Sequence, residues 1–250
     1  MGSGPRPGYG SRGSAHRSAR CDRTALRLEA LGARVAPLQR GDGVGRPVQA
    51  DLRDCERAEE AVAELAGELG PIDICVAAHG MNTRGPALEL SLADWRRVID
   101  VNLHGAFAVT RAAARDIGGR GGRGSIVHLA SELSFFGGLN VAPYSASKGA
   151  VVQLMKSQAN EWAPLGIRVN AVAPGWIETE MTAALRADAV RFGEISARIP
   201  AGRWGSPEEV AGAAAWLVSH EASYVNGTVL VVDGGYLARC APAATKKAAP

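Results

Sequence analysis

Aromatic residues make up only 5% of this 250-residue chain, too few for the large-side-chain core of a typical β-sandwich, and 31 glycines point the same way. No apolar run reaches the roughly 18 to 20 residues that a membrane-crossing helix needs, so a membrane partner is not expected. The first residues carry arginines with no apolar block behind them, unlike a secretory leader. The four cysteines, at 21, 55, 75 and 240, show no CxxC spacing. That excludes the usual zinc and redox motifs and fits a reduced, cytoplasmic protein without a metal. Lysine is scarce as well: only 148, 156, 246 and 247, against 24 arginines.

The net charge of +3 is unevenly spread. Residues 1–50 carry nine arginines against Asp22, Glu29 and Asp42, while the stretch 51–245 is acidic by 5. Basic ends around an acidic body do not make a nucleic-acid surface, and no nucleic-acid module is legible.

Residues 1–23 are rich in Gly, Ser and Arg and offer little to bury, so they read as atypical and disordered. From Thr24 to Arg239 the pattern is that of one domain, and residues 240–250 read as a disordered tail. TALRLEALGARVAPL opens with a helix that Gly32 can stop, followed by a short strand at about 33–38. RPVQADL gives a second strand ending at Asp51, and a helix over about 54–69 buries Ala58, Ala61, Val62 and Leu65. PIDICVAAHG is a strand ending in a glycine turn. A long helix at about 94–116 and a strand at 124–131 follow. Next come a helix at about 144–163, a strand at 167–173, a helix at about 207–218 and a strand at 227–233. Strands that are continuous apolar runs, alternating with helices, predict an α/β fold: a Rossmann-like, doubly wound parallel sheet with helices on both faces. Such sheets bind ligands beyond the carboxyl ends of their strands, here just after Asp51, Ala78, Ser131 and Ala173.

The strongest local signal is Tyr144-Ser-Ala-Ser-Lys148. Four residues apart on a helix, the phenol and the ammonium share a face, and a neighbouring cation makes a phenolate accessible near neutrality. A lysine kept in an arginine-rich chain adds weight. Alone, YxxxK occurs by chance as a surface Tyr and a solvated Lys. Ser131 ends a buried strand thirteen residues earlier, where a hydroxyl could polarise a carbonyl opposite the phenol. Asn102 in VNLHG is a further polar group in apolar surroundings, readable also as an asparagine that distorts its own helix.

Together these residues resemble the tetrad of the short-chain dehydrogenase/reductase family: Asn102, Ser131, Tyr144 and Lys148. ADL at 50–52, PG at 174–175 and VDGG at 232–235 also follow the family's pattern. Within the family, NEWAPLGIRVNAVAPG, RIPAGRWGSPEE and DGGYLAR resemble 2-deoxy-D-gluconate 3-dehydrogenases, with gluconate 5-dehydrogenases as near relatives. The resemblance implies hydride transfer between a nicotinamide cofactor and a secondary alcohol or ketone of a small-molecule sugar acid, in a homotetramer. It implies Tyr144 as the base, Ser131 as donor to the oxygen, Lys148 as the cation beside the phenol and Asn102 as support for a relaying water. Cofactor contacts would come from Asp51, Leu52, Ala78, Gly80, Asn102, Tyr144, Lys148, Pro174, Gly175, Ile177 and Thr179. For the substrate, Arg84 is the candidate carboxylate partner, and Glu132, Trp176 and the stretch 179–200 would shape the pocket; Arg203 reads as structural. The likeness leans to NAD, while Arg40 could face the extra phosphate of NADP. A reductase of another carbonyl (keto-acyl, steroid or polyketide) and a non-catalytic relative that has lost its cofactor stay open.

Two departures stand out. The family's opening strand and TGxxxGxG would fall on residues 8–13, GYGSRG, and on Ser14, Ala15, Ala19 and Cys21, so the first strand is doubtful and none of the three glycines is present. An abrupt switch at Thr24 is what a shifted upstream reading frame would give; a genuinely divergent protein with weakened cofactor binding is the alternative. The family's NNAG is here Ala77-Ala78-His79-Gly80, where His79 either bonds into the loop or is merely tolerated.

Overall fold

A computed structural model of the chain describes residues 19–30, positions 32, 33 and 35, residues 38–39 and residues 48–239. In chain order the elements are helix α1 (Ala19–Ala30), strands β1 (Leu38–Gln39) and β2 (Val48–Gln49), helix α2 (Cys55–Leu69) and strand β3 (Ile74–Ala77). Helix α3 (Leu92–Ile99) runs through a π-turn (Asp100–His104) into α4 (Gly105–Gly119). Strand β4 (Gly124–Leu129), helix α5 (Ala142–Trp162) and strand β5 (Ile167–Pro174) follow, then the short α6 (Ala183–Ala187) and α7 (Ala189–Ser196), helix α8 (Pro207–Val218) and strand β6 (Val229–Val232).

Strands β3 to β6 form one parallel sheet in sequence order. Its central strands are buried along nearly their whole length because both faces are covered, chiefly by apolar side chains. Ile126 and Val169 pack with Ile117, Val152 and Met155 of α4 and α5, whereas Val127 and Val172 pack with Val210 and Leu217 of α8. Full burial of such side chains contributes about 1.5–3 kcal/mol each. The doubly wound arrangement expected from the sequence is therefore present.

Among the described residues, strands β1 and β2 pair with each other in a separate two-stranded parallel sheet. Among the described residues no strand pairs with the outer edge of β3. The doubtful first strand, expected over 8–13, lies outside the described residues, as does Arg40.

Several boundaries differ from expectation. Helix α1 begins at Ala19, five residues before Thr24, and docks on α8, with Arg23 and Glu208 ion-paired at 2.9 Å. It ends as expected: Gly32 has φ +87°, and the Ala33 amide closes on the Leu28 carbonyl at 3.0 Å. Of the strands expected at about 33–38 and ending at Asp51, the described residues include Leu38–Gln39 and Val48–Gln49 as strand, while Ala50 and Asp51 already lie beyond it. β3 stops at Ala77, where the Ala78 amide turns back to the Val76 carbonyl. The expected long helix is real but is broken by the π-turn, in which the Gly105 amide reaches five residues back to Asp100. The stretch 179–200 contains two helices, one of them started by Asp188 accepting from the Val190 and Arg191 amides. Helix α8 starts at Pro207 behind a reciprocal Ser206–Glu209 cap, and Arg203 pairs with Glu209 at 2.7 Å, the structural role expected of it.

Candidate active site

The carboxyl ends of β3, β4 and β5 gather the polar residues singled out above. Tyr144 and Lys148 lie one turn apart in the first half of α5, both buried. Lys148 Nζ donates to the Leu129 carbonyl at the end of β4 (2.6 Å) and sits 5.8 Å from the Tyr144 ring centroid. The Tyr144 hydroxyl takes no partner among the described residues. Gly80 closes the site on the β3 side: a Cβ there would lie 3.4 Å from Lys148 Nζ and 3.6 Å from Asn102 Oδ1.

Asn102 sits in the π-turn, an irregularity that recurs at functional positions. It does distort its helix, but its side chain serves other residues rather than its own backbone. Oδ1 accepts from the Met81 amide (2.8 Å), and Nδ2 donates to the Met81 carbonyl (2.9 Å) and to Ser147 Oγ (3.0 Å). Ser147 Oγ in turn donates to the Tyr144 carbonyl (2.8 Å). Asn102 therefore pins the loop after β3 to the helix that carries the phenol, and both its amide protons are already engaged.

Ser131 leaves β4 in extended conformation and heads a short turn, its Oγ accepting from the Leu133 amide (3.2 Å). Ser134 anchors that turn by donating to the Lys148 carbonyl (2.8 Å). Beyond β5, Pro174, Gly175, Ile177 and Thr179 form a tight loop knotted by Thr182, whose hydroxyl donates to the Ile177 carbonyl (2.7 Å) and accepts from the Thr179 amide (3.0 Å). Sequence reasoning missed Ser134, Ser147 and Thr182. The T-x-x-T spacing of Thr179 and Thr182 is a readable cap signal, whereas the other two are seen only once the helices are packed.

The remaining candidates lie around this centre. Asp51, just after β2, is held by the Arg53 guanidinium (3.0 Å). Leu52 packs with α2 and α4 and approaches α4 so closely that a Cβ on Gly105 would lie 2.8 Å from its carbonyl. Ala78 is buried. Arg84 is exposed, on a loop tied to the entrance of α5 by the Gly85 amide and the Asn140 carbonyl (3.0 Å). Trp176 stacks obliquely on Trp204 at 5.2 Å, with its indole nitrogen buried and unpartnered among the described residues. His79 is not a surface residue: its Nε2 is buried, and burial, then the nearby Lys148 charge, lowers its pKa to about 3.

A family model described as enoyl-(acyl carrier protein) reductase matches residues 20–237. The 2-dehydro-3-deoxy-D-gluconate 5-dehydrogenase of Escherichia coli strain K12 is 44% identical over 190 residues, covering 76% of this chain and 75% of its own. The gluconate 5-dehydrogenase of Gluconobacter oxydans strain 621H is 42% identical over 185 residues, 74% of this chain and 72% of its own. The chain belongs to the short-chain dehydrogenase/reductase family. It is therefore related to NAD(P)-dependent oxidoreductases. Among solved members, the gluconate 5-dehydrogenase of Burkholderia cenocepacia J2315, in complex with NADP and tartrate, superposes with a TM-score of 0.76 at 35% identity, covering 88% of this chain and 82% of that one.

Glu132 is a further buried acidic side chain of the site. It follows Ser131, is 4% exposed and has an unpartnered, buried Oε2 facing the Gly175 backbone. Burial, then the Asp233 carboxylate, pushes its pKa up to about 8, against the opposing pull of Arg198 and Arg239. Folded Glu132 thus keeps a proton that the unfolded chain releases above about pH 4.5, so its contribution to stability falls as pH rises towards 8. The buried His79 and His128, lowered to about 3 and about 4, act oppositely: their contribution is lost as pH falls below their ordinary 6.5. Thermal unfolding should therefore show greatest stability near pH 6.5. Glu132→Gln is expected to remove the Glu132 share of this pH dependence, so that the variant gains about 2 kcal/mol on the parent between pH 6 and pH 8. A stability difference between variant and parent that stays constant across this interval would locate the pH dependence elsewhere.

Proposed function

We propose that the chain interconverts a secondary alcohol and a ketone on a sugar acid, with NADP or NAD as hydride carrier. The observation that carries this reading is the buried Lys148 ammonium facing the Tyr144 ring, whose hydroxyl has no partner among the described residues, at the carboxyl ends of a parallel sheet. Those groups, with the knotted loop of Pro174, Gly175, Ile177 and Thr179, fit the reacting half of a nicotinamide cofactor, which supplies the hydride acceptor when bound. NADP in the Burkholderia relative supports the phosphorylated form.

Tyr144 takes the substrate hydroxyl proton as the alcohol is oxidised and returns it in the reverse direction. Lys148 stabilises the phenolate by charge and is fixed in place by the Leu129 carbonyl. Ser131 donates to the substrate oxygen as negative charge develops there. Asn102 positions rather than relays, because its side chain is spent on Met81 and Ser147; a relaying water would have to use another group. Asp51 and Leu52 after β2, with Ala78 and Gly80 after β3, would hold the remainder of the cofactor.

The sugar-acid assignment is supported by the names of the relatives and by Arg84, an exposed cation on the loop tied to the start of α5. Initial-rate assays with gluconate, 2-deoxygluconate and neutral polyols test it. Arg84→Ala is expected to raise KM for the acidic sugars about tenfold, a loss of about 1.4 kcal/mol, and to leave neutral substrates unaffected. An unchanged KM for the acids would remove Arg84 from the substrate site, and preference for a neutral polyol would overturn the substrate class.

A further inference from the structure

Two histidines, His79 and His128, lie within electrostatic reach of Lys148, and the chemistry above uses neither. His128, on β4, is fully buried and stands opposite Ala77 in the β3–β4 register. His79 follows Ala77 by two residues. His128 Nε2 is 2.7 Å from Gln158 Oε1, while Gln158 Nε2 donates to Thr110 Oγ1 (3.0 Å). The amide oxygen can only accept, so the ring proton of His128 is on Nε2. A neutral imidazole has one N–H, which leaves Nδ1 as a bare acceptor, and that atom is buried without a partner among the described residues. The His79 ring bonds the backbone of Val101. With Nε2 its buried, unpartnered atom, the bonding nitrogen is Nδ1, which donates to the Val101 carbonyl and leaves Nε2 as a second bare acceptor. Both rings are held neutral by burial and by the Lys148 charge.

Two acceptors facing no donor are costly in a protein interior, and neither nitrogen bonds the other. The group that satisfies two lone pairs at once is a water molecule, with its two O–H donors. A bound cation would meet the like charge of Lys148. We propose that one buried water joins His79 Nε2 to His128 Nδ1, and that the hydrogen-bond chain it completes makes both histidines positioning residues for Lys148 and Asn102. That chain runs from Thr110 on α4 through Gln158 on α5, His128 on β4, the water and His79 to Val101 in the π-turn. It ends one residue from Asn102 and passes one residue from Leu129, whose carbonyl holds Lys148.

The water does not depend on the proposed activity; the positioning role rests on it. The two are tested separately. In the full chain labelled with [15N]histidine, His128 is expected as the Nε2–H tautomer and His79 as the Nδ1–H tautomer, both staying neutral from pH 7 to pH 5. A high-resolution crystal structure is expected to show a water about 2.6–3.2 Å from both bare nitrogens. Either opposite tautomer, titration of either ring near 6.5, or a dry gap overturns the water. For the positioning role, His79→Phe keeps a flat aromatic ring, somewhat larger than imidazole, and deletes both hydrogen bonds. It is expected to lower kcat about tenfold with KM within about twofold, and to move the acid limb of the oxidation profile to higher pH by about one unit. A folded His79→Phe chain with the parent's kcat and pH profile overturns that role. If the variant does not fold, the tautomers and the water in the unsubstituted chain still decide the first claim.

Discussion

Tyr144→Phe is expected to lower kcat for alcohol oxidation by about a thousandfold while leaving the fold and the affinity for reduced cofactor nearly unchanged. The separation of these effects follows from the packing. The ring is 8% exposed and Phe preserves its contacts, including the Lys148 ammonium 5.8 Å from its centroid. The hydroxyl has no partner among the described residues, so its removal orphans nothing. What is lost is the one group placed to exchange a proton with the substrate oxygen. Lys148→Met differs: it strips the Leu129 carbonyl of its donor, so a stability loss of about 1–3 kcal/mol accompanies the lost activity. Kinetics at saturating cofactor, thermal melting and a fluorescence titration with NADPH separate the two variants. A Tyr144→Phe chain that keeps a tenth of the parent rate would exclude Tyr144 as the base.

Features governed by local rules were legible in the sequence. Helix α8 occupies the expected residues because Ser206, Pro207 and Glu209 form a reciprocal cap. Helix α2 follows its apolar spacing behind the Asp54 cap. Tyr144 and Lys148 share a helical face because the 3.6-residue period puts them there. The π-turn was not legible, since one extra residue in a helical stretch leaves the apolar pattern almost intact. Its effect is large all the same, because it aims Asn102 at Met81 instead of along its own helix. Helix α1 begins earlier than its leucines suggest, since a docking partner, α8, extends a helix that propensity alone would not. His79 and His128 sit 49 positions apart in the chain, and only the register of β3 against β4 brings them near one another.

Replacing residues 8–21 with an apolar strand that runs into Thr-Gly-x-x-x-Gly-x-Gly is expected to tighten NADPH binding about a hundredfold, some 2.7 kcal/mol. The helix it would feed is already present. Counting back from Gly32 puts the second of the three glycines at position 19, where α1 begins. The first turn of a helix offers unpaired amides to a pyrophosphate, but only if the backbone ahead of it can turn sharply and approach closely. Ser14, Ala15, Ala19 and Cys21 replace the residues that permit this. The strand matters as much as the turn, because a central strand pairs on both sides. Among the described residues β1–β2 and β3–β6 form two sheets with no pairing between them, and a strand joining them would satisfy both facing edges. Glycines alone (Ala15→Gly, Ala19→Gly and Cys21→Gly with Ser14→Thr) supply the turn without that anchor and are expected to gain less than about tenfold. Fluorescence titration of the three chains with NADPH and NADH measures the difference, and the strand-bearing chain is also expected to melt at higher temperature. Micromolar NADPH binding by the unaltered chain would overturn the argument, since it would mean that another segment already cradles the pyrophosphate.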